Sequence, residues 1–291
     1  MRGWWQDLTD LVLPTECAGC GAPRTALCAR CRSVLERAVP RRVRPVPEPS
    51  GLPVVHAVAP YEQQVRQLLL AHKERGALPL ARVLGTALAG AVRAGLDADG
   101  AGDGAGRTPG AGPVLLVPVP SARRAVRARG HDPVRRTALA ASGALRRTGT
   151  PARVASVLRQ RRAVADQARL DARRRLENVS GALEVTAGGA RVLAGGQVVL
   201  VDDLITTGAT LAEAARAVRE ALFAHAGGVA AVYSAGTREG REKRRTGARP
   251  ERPKWVQGAP EKAPGNAVVH GLRAAVVAAP RDSFEMDGNW P

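Results

Sequence analysis

"VVLVDDLITTGATL", residues 198–211, decides how this chain is read. Val198 to Val201 form an unbroken apolar run, the pattern of a strand covered on both faces. Asp202 and Asp203 stand at its C-terminal end, where adjacent like charges repel unless a metal ion or the hydroxyls of a sugar share them. Thr206, Thr207, Gly208, Ala209 and Thr210 then lead into a helix that starts near 209 or 210. Backbone N–H groups and Thr hydroxyls in such a turn, backed by the helix dipole, suit a phosphate. Gly208 lets the backbone approach a ligand closely. A diol-gripping pair beside a phosphate cradle fits a phosphorylated ribose.

Around this stretch, strands alternate with helices, which predicts a parallel, helix-covered α/β sheet. "VVHAVAPY" (54–61), "PVLLVPVP" (113–120) and "QVVLV" (197–201) read as strands. "EQQVRQLLLAHKERG", "ALPLARVLGTALAGAVRAG", "HDPVRRTALAASGAL" and "ATLAEAARAVREALFAHAG" read as helices. The next strand is either "VAAVY" (229–233) or "LRAAVVAAP" (272–280). "PRRVRPVPEPSGLP" (40–53) is Pro-rich and reads as a linker, so an N-terminal unit over 1–45 is expected ahead of a main domain over 52–291. A flexible Gly/Ala-rich loop is expected at 97–112, and a basic, disordered segment at about 234–268. "MRGWWQDLTDLVLP" reads as a short amphipathic helix carrying Trp4, Trp5, Leu8, Leu11 and Val12.

All four cysteines fall in "CAGCGAPRTALCARC": Cys17, Cys20, Cys28 and Cys31. Two C-x-x-C knuckles can present four thiolates to one tetrahedral ion, which predicts a closed structural zinc site with no chemistry of its own. A redox pair and disulfides are the rivals, and a reducing cytoplasm disfavours them. The start of the chain lacks a signal-peptide core, and no apolar run nears the roughly 20 residues that span a bilayer. A cytoplasmic protein without a membrane partner is expected. The formal net charge is +18, carried almost wholly by arginine. Such a surface suits nucleic acid or phosphorylated small molecules, and a GC-rich genome gives the same composition.

In "VPVPSARRAVRARGHDPVRR" (117–136), Arg123, Arg124, Arg127 and Arg129 follow a strand end. Guanidinium groups there pair well with pyrophosphate oxygens. The Asp-Asp and Thr-Gly-x-Thr pattern resembles the signature of the type I phosphoribosyltransferases. With the four-cysteine ribbon, the Arg-rich stretch and "DQARLDARRRLENVSGAL" (166–183), the chain is similar to the ComF/GntX-type phosphoribosyltransferase-like family over most of its length. The resemblance implies that Asp202 and Asp203 hold the ribose hydroxyls of phosphoribosyl pyrophosphate, and that Thr206 to Thr210 cradle its 5′-phosphate. It implies magnesium with that ligand, and Arg123, Arg124, Lys73 and Arg175 as the catalytic cations. Residues 159–175 would be the loop that closes over the ligand, with Gln167, Arg175 and Asn178 matching the family pattern. The family reads R-G-F-N-Q where this chain has Arg129, Gly130, His131, Asp132 and Pro133, so the side chains of 131–133 depart from it. The implied reaction displaces pyrophosphate at ribose C1 by an unidentified nucleophile. A non-catalytic sensor of the same ligand, or an accessory to DNA uptake in competence with nucleic-acid contact, is the other implied role. The sequence specifies no oligomeric state.

Overall fold

Strands that are apolar on both faces need cover on both sides, and the helices of this chain provide it. The computed structural model describes residues 16–100, 112–162, 177–236 and 271–285. Helix α1 (Ala29–Glu36) and strand β1 (Arg41–Val43) precede β2 (Val54–Pro60), α2 (Gln63–Glu74) and α3 (Leu80–Gly100). Strand β3 (Val114–Pro118) leads to α4 (Arg123–Arg129), α5 (Pro133–Arg147) and β4 (Ala152–Val154). Strands β5 (Leu158–Gln160) and β6 (Leu183–Val185) pair antiparallel as a separate small sheet. The short helix α6 (Gly189–Leu193), β7 (Gln197–Leu204), α7 (Ala209–Gly236) and β8 (Arg273–Ala279) follow.

The main sheet runs β1-β2-β8-β7-β3-β4. Every neighbouring pair is parallel except β1, which lies antiparallel on the edge of β2. Side chains along β7 alternate between two cores, as the period of 2 requires. Val199 and Val201 join α2, α3 and α5 on one face, whereas Val198 and Leu200 join α7 and α6 on the other. The architecture is therefore α/β, with a mostly parallel six-stranded sheet flanked by helices. No helix among the described residues is long and apolar enough to cross a membrane.

Several elements differ from their sequence reading. The 40–53 stretch is more than a linker: Arg41–Val43 pairs with Val55–Ala57, and Val43 is buried. Prolines at 40 and 45 bound this three-residue strand and mask it in the composition. Helix α3 continues through Asp97 to Gly100, into the stretch expected as loop, because Leu96 still packs on the core. The rest of that loop, 101–111, lies outside the described residues, as do 1–15 and 237–270. "VAAVY" continues α7 without a break, and the last strand is β8. Its place between β2 and β7 demands small side chains buried on both faces, and Ala274 to Ala279 supply them.

The four-cysteine unit is not loosely appended. Leu35 of α1 belongs to the same core as α2 and α3, with Ala18, Leu27 and Val34 packed against it. On the opposite side of that core, α3 and α5 nearly touch backbone to backbone. A Cβ on Gly85 would lie 2.4 Å from Ala140 Cβ and 2.8 Å from Ala141 N. Gly85→Ala gains helix propensity but forces the two helices apart, and overpacking of this kind costs about 1–3 kcal/mol. A fall in Tm of roughly 3–6 °C is expected by calorimetry. Gly90→Ala, whose nearest neighbour is Pro40 Cγ at 3.4 Å, is expected to be neutral or stabilising.

Candidate functional site

Strands β3 and β7 are neighbours, with Pro118 opposite Val201. The chain leaving β3 reaches α5 on one face, and the chain leaving β7 enters α7 on the other. This divergence opens a crevice at the C-terminal ends of the two strands, the place where open α/β sheets bind ligands. Asp202 and Asp203 stand at its floor.

The alternation along β7 turns Asp203 toward α2, where Lys73 Nζ lies 3.1 Å from Oδ2 and 3.4 Å from Oδ1. Asp203 is buried, and its N–H donates to Asp202 Oδ1 at 2.8 Å. The charge of Asp203 holds the Lys73 ammonium above its usual range, against the opposing effect of burial. Burial, followed by the charge of Asp203, pushes the Asp202 carboxyl well above the usual carboxylate range, and Lys73 offsets only part of this. One ammonium thus serves two carboxylates.

The turn after the pair is anchored by Ile205, whose N–H donates to Ala278 O at 3.0 Å. Gly208 takes a left-handed φ of +74°, and Ala212 N–H donates back to its carbonyl to begin α7. Among the described residues, the N–H groups of Thr207, Gly208, Ala209, Thr210 and Leu211 meet no carbonyl and no side-chain acceptor. An ordinary helix start leaves four N–H groups without partners, and a side-chain cap commonly satisfies some. Among the described residues no side chain caps these five, although threonines flank the turn. A side chain at 208 is excluded twice. The left-handed backbone disfavours it, and its Cβ would lie 3.1 Å from Leu52 Cδ2 and 3.2 Å from Pro49 Cγ. The 49–52 segment therefore straps the loop from above, a role its proline content does not announce.

Val119 N–H donates to Val201 O at 2.9 Å, so the chain leaves β3 alongside Asp202 and enters the Arg-rich helix α4. Arg123, Arg124 and Arg127 are exposed. Arg129 is engaged instead, donating from Nε and Nη2 to both oxygens of Glu74 at 3.0 and 2.8 Å. His131 spans two carbonyls, with Nδ1 3.1 Å from Arg129 O and Nε2 3.3 Å from His72 O. His72 packs beneath it with ring centroids 6.1 Å apart, and burial lowers its pKa. Asp132 caps α5 by accepting from Arg135 N–H, and Pro133 takes the first turn. Residues 131–133 are therefore framework: they clasp the end of α2, and Lys73 with it, against the start of α5.

Arg159 and Arg161 both pair with Glu184 at the base of the β5–β6 hairpin. Asn178 lies half-buried in the helical residues 177–179 that lead back to it. Gln167 and Arg175 lie outside the described residues. Glu213 of α7 pins the same hairpin, accepting from Leu183 N–H at 2.9 Å and from Arg216. Burial pushes its carboxyl up, but these hydrogen bonds outweigh it and hold the group below its usual range. The clasp and this brace carry no motif; their partners are brought together only by folding.

The cysteines converge as their spacing requires. The sulfurs of Cys17, Cys20, Cys28 and Cys31 all lie within 4.8 Å of one another, with Cys20 and Cys28 at 3.6 Å. Four sulfurs on one tetrahedral ion at bond lengths of about 2.3 Å stand about 3.8 Å apart, so the cluster is positioned to bind a metal ion. Cys28 N–H donates to Cys17 Sγ and Cys31 N–H to Cys28 Sγ, as turns around a metal-bound thiolate do. Burial raises the Cys17 thiol, but the N–H groups of Cys28, Cys20 and Gly19 prevail and bring it down to about 6. Burial pushes the Cys31 thiol up. Gly19 has no room for a side chain, since its Cβ would lie 2.7 Å from Cys31 Sγ.

No protein-family model matches the chain, and comparison with curated proteins gives no match.

The raised Asp202 pKa carries a stability signature. Between the ordinary value near 3.8 and the raised one, the folded chain keeps a proton that the unfolded chain has released. Stability therefore falls as pH rises through that window, and the penalty persists above it. Asp202→Asn removes the penalty. Its Tm is expected to exceed the wild type at pH 8 and to match it near pH 4. Melting curves at the two pH values check this.

Proposed function

We propose that the crevice above β3 and β7 binds phosphoribosyl pyrophosphate with magnesium, and that the chain is a type I phosphoribosyltransferase-like protein of the ComF/GntX kind. The observation that carries this is the row of five N–H groups from Thr207 to Leu211 that meet no acceptor among the described residues, directly after two adjacent carboxyl groups of which Asp203 pairs with Lys73. A phosphate satisfies the first feature, and vicinal hydroxyls satisfy the second.

In this assignment Asp202 and Asp203 accept hydrogen bonds from the ribose hydroxyls. The 206–210 turn encloses the 5′-phosphate, with Gly208 allowing close approach and the strap at 49–52 holding the turn in shape. Lys73 stays protonated and orients Asp203, adding positive charge beside the pyrophosphate. Arg123 and Arg124, with Arg175, take up charge that develops on the leaving group as the C1–O bond breaks. Magnesium, when bound with the ligand, neutralises pyrophosphate oxygens and improves the leaving group. A nucleophile then attacks C1 through an oxocarbenium-like transition state. His72 and His131 lie against backbone carbonyls and supply no base.

The cysteine cluster we assign to structural zinc, whose four thiolates leave no open position. Because Leu27, Val34 and Leu35 pack on the core shared with α2 and α3, metal loss should spread beyond the ribbon. Elemental analysis is expected to give one zinc per chain, and Cys31→Ser to lose it with a Tm fall of several degrees. Unchanged melting would mean that the ribbon is independent of the domain.

Calorimetric titration with phosphoribosyl pyrophosphate and magnesium tests the ligand. Saturable binding is expected, weakened at least 100-fold in Asp202→Ala/Asp203→Ala. Folded wild type that binds nothing, or a double variant that binds equally well, would overturn the assignment. Binding without pyrophosphate release to any amine or base would identify a sensor.

A further inference from the structure

A second cavity lies off this crevice. It occupies about 710 Å³ between the outer side of α7, the turn at Ser50–Gly51 and the turn at Val179–Ser180. That volume falls within the range that takes small organic ligands. Arg219 and Phe223 line its far end, one helical turn apart on the same ridge of α7. Arg219 is eleven residues beyond Gly208, about 16 Å along the helix, so the two sites do not overlap.

The charges in this cavity are unevenly matched. Arg216 is committed, donating to Glu213 and to Glu220. Glu213 is buried under β6, and the Glu220 side chain is 73% exposed, where solvent screens it. Arg219 is half-buried, and among the described residues its sole partner is a neutral one, Gly51 O, which accepts from Nη1 at 2.7 Å. Burial lowers its pKa with no carboxylate near enough to offset the effect. A desolvated cation without a counter-ion calls for an anion.

The walls call for an apolar body. Phe223 is 77% exposed at the cavity lip, in a chain with only two phenylalanines. Its ring stands free beside Val179, which is buried, and Ala212 and Ala224 line the same surface. Ser50 and Ser180 bring hydroxyls to the rim.

We propose that this cavity is a binding site for an amphipathic monoanion, a flat apolar body lying on Phe223 with its carboxylate, sulfonate or phosphate on Arg219. Binding there is felt at the crevice through a short route. Arg219 holds Gly51, and Leu52 and Pro49 of the same strap hold Gly208. Such a ligand would stiffen the strap without touching the Asp pair.

The full-length, zinc-loaded chain and 1-anilinonaphthalene-8-sulfonate provide the test, read by fluorescence titration. One saturable site per chain is expected. Arg219→Gln should weaken it at least tenfold and Phe223→Ser at least threefold. Arg66→Gln, an exposed arginine of α2, changes net charge equally and should leave affinity within twofold. The uncharged N-phenyl-1-naphthylamine should bind wild type and Arg219→Gln alike. Asp202→Ala/Asp203→Ala should bind the sulfonate normally, which separates this site from the assignment of the crevice. If Arg219→Gln melts early through loss of its bond to Gly51, the exposed Phe223→Ser decides alone. Unchanged affinity in Phe223→Ser, an equal effect of Arg66→Gln, several equivalent sites or no saturable binding would each overturn the proposal.

Discussion

Two adjacent parallel strands that hand their chains to opposite faces of a sheet cannot close the space above their ends. That constraint at β3 and β7 governs the rest of the molecule. It puts Asp202, half-buried, and Asp203, buried, at the end of β7 that borders the crevice, while Val199 to Val201 immediately before are sealed in the core. It also carries the chain past the end of β7 on its way to the Arg-rich helix α4, because Val119 is still hydrogen-bonded to Val201 when the chain turns away.

The surroundings of the crevice are rigid where charge must be placed. Lys73 sits at the end of α2, and that end is clamped by the Arg129–Glu74 pair and by His131 bridging two carbonyls. Without the clamp, a lysine with a long flexible stem would lose side-chain entropy on pairing with Asp203, and the pairing would weaken. Residues 131–133 then have a physical role of their own. These side chains serve the framework, and Arg-Gly is left with the turn into α5. On the far side, Glu213 and Arg216 hold β6 against α7.

Stability and ligand binding pull in different directions at the carboxylate pair. A protein with a net charge of +18 could have surrounded Asp202 with arginines, yet it carries a raised pKa beside a single lysine. The N–H groups after it likewise meet no cap among the described residues. A carboxyl held above its usual range beside donors that meet no acceptor among the described residues costs folding free energy, as perturbed groups in clefts do.

Much of this was legible before folding. Unbroken apolar runs named β2, β3 and β7, the Asp-Asp and Thr-Gly-x-Thr stretch marked the crevice, and the paired C-x-x-C spacing brought four sulfurs together. These signals are local: each depends on residues within one turn or one strand, where period and chirality act directly. Other features depend on partners far apart in the chain. Arg129 and Glu74 are 55 residues apart, Lys73 and Asp203 are 130, and Gly51 and Arg219 are 168. No period links them. The choice between "VAAVY" and "LRAAVVAAP" as the last strand belonged to the same class. Both runs are apolar, and only the vacancy between β2 and β7, which must be filled by small residues buried on both faces, selects the second. The sequence by itself determined which segments can be buried and where charge and donors accumulate. The tertiary structure decided which of those charges are spent on the framework and which stay open to a ligand, because that depends on distances set by packing.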